Sequence, residues 1–170
     1  MANTYKLIAS STVDSGGAAY IEFTSISGSY TDLALLVTCR TASGGAESVK
    51  IAFNSDNTSG NYSSKYIEGN GSIATSGTSP SQYAVSASGS SDTANTFSNA
   101  QVYIPNYAGS NKKSWSSDTV TENNGTAAYA TLIAGLWDNT SAITTIKLTT
   151  NGAVNFAQYS TAYLYGIKNS

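Results

Sequence analysis

Apolar residues recur at every second position in a series of short runs, the spacing of half-buried β-strands. From Leu33 the odd positions Leu33, Leu35, Val37 and Cys39 point one way, while Ala34 and Leu36 make the second face apolar too, as in a central strand. Ile51 and Phe53 share a face, as do Val102 and Ile104, before Pro105 ends that run for want of an N–H. Ile146 pairs with Leu148, and Tyr163, Tyr165 and Ile167 alternate with Ala162, Leu164 and Gly166. Strand formers dominate each run. Between them lie Ser15-Gly16-Gly17, Ser27-Gly28-Ser29, Ser43-Gly44-Gly45, Asn70-Gly71, Asn123-Asn124-Gly125 and Asn151-Gly152, clusters suited to tight turns. The pattern predicts a single all-β domain over residues 1–170, an antiparallel β-sandwich of jelly-roll-like form with about eight to ten strands.

Two stretches fit this frame less directly. Residues 69–95 are mostly Ser, Gly, Ala and Thr and read as a long surface excursion, a candidate arm for contacting a partner. Residues 126–137 tolerate a helix capped by Asn124, but Gly135 and the bulky end at Trp137 favour a strand.

Composition then narrows the chemistry. The chain has no histidine, one cysteine and 11% charged residues. Histidine relays, Cys–His pairs and His-based metal sites are therefore ruled out. A net charge of −2, with eight basic residues scattered, speaks against nucleic acid as a partner. Lys112-Lys113 reads as a solvated loop pair. The apolar run from Ala127 to Trp137 is too short to span a bilayer, so no membrane partner is expected. The opening residues lack the basic and apolar regions of a signal peptide, which predicts synthesis in a cytosol. Cys39 reads as a buried, inert thiol.

Carboxylates are the acid/base groups that remain. Asp118 and Glu122 would share a strand face, but their Ser/Thr neighbours give little desolvation to raise a pKa, and the pair reads as a solvated edge. Asp56, in Asn54-Ser55-Asp56-Asn57, lacks the glycine and distal glutamate of a calcium loop and reads as a turn residue. No Gly-rich stretch has a phosphate-binding pattern. No cofactor, metal or catalytic residue is predicted, and the chain does not read as an enzyme. The aromatic residues Tyr103, Tyr107, Trp115, Tyr129 and Trp137 allow two readings: a stacking platform for a glycan or partner, or packing inside the sandwich with polar tips at its rim. Tyr107, Trp115, Tyr129 and Trp137 are the candidate contact residues.

The block Thr96-Phe97-Ser98-Asn99-Ala100-Gln101-Val102-Tyr103-Ile104-Pro105-Asn106-Tyr107-Ala108-Gly109-Ser110 resembles a segment of small structural proteins of tailed phages, of cyanophage and aquatic-phage type. Residues 113–118, Glu122-Asn123-Asn124, the opening residues 2–10, Tyr30-Thr31-Asp32-Leu33 and Tyr163-Leu164-Tyr165-Gly166-Ile167 share the likeness; residues 75–92 match least. The resemblance implies a β-sandwich virion component, a homotrimer on the capsid exterior that bridges subunits of the major capsid protein as a decoration, or cement, protein. It brings no site residues with it. A tail-fibre or baseplate tip that recognises a host-surface glycan is the alternative, and a free carbohydrate-binding module is a second.

Overall fold

The computed structural model describes residues 4–79, 81–125 and 128–168. These residues form twelve strands: β1 (Tyr5–Thr12), β2 (Tyr20–Phe23), β3 (Asp32–Cys39), β4 (Glu47–Phe53), β5 (Tyr62–Gly69), β6 (Ala74–Ser79), β7 (Tyr83–Ala87), β8 (Ser98–Ile104), β9 (Lys113–Val120), β10 (Ala130–Trp137), β11 (Ile146–Thr150) and β12 (Thr161–Ile167). The one helical turn is a short 3₁₀ segment, Ser59–Asn61, so no helix among the described residues is long and apolar enough to cross a membrane.

All the strand pairs are antiparallel, in an eight-stranded sheet ordered β1-β12-β3-β8-β9-β10-β5-β6 and a four-stranded sheet ordered β2-β11-β4-β7. The topology has a simple generator. β1 pairs with β12, β2 with β11, β3 with β8 and β4 with β7, so the chain doubles back into one antiparallel ribbon, and that ribbon rolls into two sheets. This is a jelly roll. Two insertions enlarge it. The pair β5–β6 leaves between β4 and β7, the pair β9–β10 leaves between β8 and β11, and both add to the free edge of β8. The larger sheet therefore outgrows its partner: β7 packs over β8, β9 and β10, and β5 and β6 overhang.

The predicted inward faces are where the alternation put them. Leu33, Leu35, Val37 and Cys39 meet Ile51, Phe53, Val102, Ile104, Ile146, Leu148 and Leu164 between the sheets. Residues 130–137 are a strand, as favoured over a helix. Asn124 caps no helix and lies in a turn with φ of 56°, as the Asn123-Asn124-Gly125 cluster predicts.

The 69–95 stretch departs from expectation. It contributes β6 and β7, and every residue of β7 is buried, so most of it is sheet and core rather than a surface arm. Its edge is sealed from the opposite sheet, where Thr119 Oγ1 accepts from Ser86 N–H (3.1 Å) and donates to Ser86 O (3.2 Å). The loop that follows is fixed by Arg40, whose guanidinium donates to the carbonyls of Ser90, Asp92, Thr93 and Thr96 at 2.8–3.2 Å. Five planar donors on one side chain can order a loop made mostly of small polar residues.

Candidate functional site

Three of the four candidate contact residues lie inside the molecule. Tyr107 and Trp137 are sealed from water, and Trp115 is 2% exposed. Trp115 on β9 and Trp137 on β10 project inward with Tyr62 of β5 and meet Phe53 of β4 from the other sheet. Ring centroids lie 5.5 Å apart for Phe53–Trp137, 5.8 Å for Phe53–Trp115, and 6.3 Å for Tyr62 with either tryptophan. Gly135, opposite Trp115 in the sheet, makes this possible: a Cβ there would sit 2.0 Å from the indole. The expected platform is thus an interior cluster, and the packing reading of these residues is the one the structure bears out. Tyr107 donates its hydroxyl hydrogen to Ser27 O, and burial raises its pKa. Tyr129 is half-buried beside Glu68, Asn70, Ile73 and Thr75, away from the other three. Tyr103 is partly exposed, its hydroxyl on Asp32 Oδ2 at 2.8 Å.

Two polar residues anchor this interior. Asp56 accepts from Trp137 Nε1 (2.8 Å), Asn61 Nδ2 (2.8 Å) and Thr58 N–H (2.9 Å). Burial pushes its pKa up, but these donors outweigh it and hold the carboxyl at about 2. The residue is a turn anchor that also orients an indole, in keeping with its reading as a turn residue. Lys113 corrects the expected solvated pair. Lys112 does lie at the surface, paired with Asp138, but Lys113 is fully buried, its ammonium donating to the carbonyls of Gly109 (2.7 Å), Asn111 and Thr140 (3.2 Å). Burial lowers its pKa. Asp118 and Glu122 do not form a pair on one strand: β9 ends at Val120, and Glu122 turns back to accept from Asn124 N–H at 2.7 Å.

A largely aliphatic part of the exposed apolar surface lies on the outer face of the larger sheet. Outward side chains line up across six strands: Ile67 (β5), Leu132 (β10), Asp118 (β9), Gln101 (β8), Leu36 (β3) and Tyr163 (β12). Ile67 is 57% exposed and Leu132 56%. A second row, Val120, Ala130, Gly69 and Ala74, runs beside them. Ile67, Leu132, Asp118 and the second row floor a groove of about 660 Å³, beside which a shallower one runs from Asp118 toward Gln101, Tyr103 and Ser116. Along β10 the alternation separates the two faces, with Thr131, Ile133 and Trp137 inward and Ala130, Leu132, Ala134 and Leu136 outward.

The sequence reading missed Ile67, Leu132 and Val120. One signal was present, since β10 is apolar on both faces although only one of them is covered by the second sheet. Among the described residues no group of three or more His, Cys, Asp or Glu side chains is placed to hold a metal ion. The outer groove offers apolar contact together with Asp118, whose Oδ1 accepts from Gln101 N–H at 3.3 Å, and Glu68 also lines it. Such an apolar surface can bind a partner. Comparison with protein-family models, with curated proteins and with solved structures found no match.

Proposed function

We propose that this chain is a structural component of a tailed-phage virion: a decoration protein, trimeric, that sits on the capsid exterior and clamps neighbouring subunits of the major capsid protein. The observation that supports a docking role is the outer face, where Ile67, Leu132, Val120 and Leu136 are left in water on a continuous sheet surface. Burying a side chain of that size gains about 1.5–3 kcal/mol, and contiguous apolar patches of this kind mark interaction sites. The resemblance to phage structural proteins supplies the partner. A rigid jelly roll suits a task that needs shape and durability rather than turnover, and preferential binding to the assembled shell stabilises it by mass action.

The tail-tip alternative drew on Tyr107 and Trp115 as a glycan platform, and both are interior residues. The decoration reading is therefore preferred. Its test is to purify the virions and count copies of this protein against the major capsid protein by quantitative mass spectrometry. A fixed stoichiometric ratio is the expected result. A few copies per particle would move the protein to the tail, and absence from the particle would end both virion readings. Adding the Leu132→Asp variant to undecorated capsids locates the contact: it should fold normally and fail to bind.

A further inference from the structure

The overhang of β5 and β6 leaves a second concavity, on the opposite side of the sheet from the outer groove. Here the inner face of the overhang looks onto the edge of the smaller sheet, and the gap is a polar cleft of about 380 Å³. Tyr66 of β5 and Tyr83 of β7 line it, their rings edge to face with centroids 5.8 Å apart. Tyr66 lies against Gly77 of β6, where a Cβ would be 2.6 Å from the ring, so the glycine sets the ring's position. Lys50 and Glu68 also line the cleft, and neither belongs to an ion pair found among the described residues. Glu68 accepts a hydrogen bond from Thr75 Oγ1 at 3.3 Å. Ser81 and Asn151 add a hydroxyl and an amide.

We infer that this cleft binds a neutral saccharide. The chemistry narrows the choice by elimination. An anion would meet the Glu68 carboxylate, and a cation the Lys50 ammonium. An apolar ligand would strip water from both charges without replacing their hydrogen bonds. A pyranose ring suits these walls: its C–H face can pack on the partly exposed Tyr66 ring, and its hydroxyls can both donate to Glu68 and accept from Lys50. The volume falls in the range of about 300–1,000 Å³ typical of small-ligand pockets. This inference does not rest on the virion reading, and it uses none of the aromatics that the sequence singled out.

The test is saturation-transfer NMR and titration calorimetry on the full chain with a panel of neutral hexoses, N-acetylhexosamines and their disaccharides, with sialic acid and glucosamine as charged comparators. At least one neutral sugar is expected to bind. Tyr66→Ala should weaken that binding about tenfold or more, and Lys50→Ala and Glu68→Gln each severalfold. Leu132→Asp, on the other side of the sheet, should leave it unchanged. If Tyr66→Ala does not fold, the Lys50 and Glu68 variants decide the matter. No binding by any neutral member, binding indifferent to Lys50→Ala and Glu68→Gln, or preference for a charged comparator would each overturn the assignment.

Discussion

The two faces of β9, β10 and β5 both carry large apolar side chains, with opposite fates. Inward, Trp115, Trp137 and Tyr62 close around Phe53; outward, Leu132, Ile67 and Val120 stand in water. Residue type alone would assign the binding role to the tryptophans and the core role to the aliphatics. The fold reverses that assignment, because β4 and β7 of the smaller sheet cover one face and nothing among the described residues covers the other. What makes a side chain available to a partner is which face the strand register gives it.

The sharpest way to break the comparison is to cut from the covered face. Trp137→Ala removes the ring stacked on Tyr62 and one of the three donors to Asp56, and should cost about 3–5 kcal/mol in urea unfolding. Lys113→Met, similar in length, leaves the three carbonyls held by the ammonium without a donor. A loss of about 2–3 kcal/mol is expected from the same measurement, and a neutral result would mean that water replaces the ammonium. A smaller effect comes from pH. Asp56 titrates near 2 in the folded chain against an ordinary 3.8, so its contribution is complete above pH 4 and drains away as pH falls from about 4 to 2. With solvent screening at this partly exposed site, the loss should be about 1 kcal/mol, and Asp56→Asn should flatten that part of the stability–pH curve. The smallest effect belongs to the open face: Leu132→Asp should shift stability by no more than about 0.5 kcal/mol while removing partner binding. A large loss of stability there would mean that the face is covered in the isolated protein.

How much of this was readable beforehand depended on side-chain size. β3, β4, β8, β11 and β12 announce themselves through Leu, Val, Ile and Phe at period two, and the antiparallel all-β sandwich follows from them. β6 is Ala-Thr-Ser-Gly-Thr-Ser, and β7 has Val85 as its one β-branched residue, so small side chains gave no contrast between faces and the stretch read as loop. Four strands from the two inserted pairs raised the total to twelve, above the eight to ten expected. Lys113 was misjudged because a lysine pair in a Ser/Asn-rich setting ordinarily means water, and the carbonyl cage that receives it comes from residues 109, 111 and 140. The outer row was out of reach for a different reason. Ile67 and Leu132 become neighbours through the register of β5 with β10, which no local pattern encodes.

The pairing of first strand with last has a consequence for how the chain is made. β12 lies between β1 and β3, so until it emerges from the ribosome β1 has no neighbour and β3, with Leu33, Leu35 and Val37, keeps one edge open. The nascent chain holds a long apolar strand edge until β12 is made, the condition under which unfinished β-proteins stick to one another. Deleting β12 should therefore yield insoluble product rather than a slightly smaller domain.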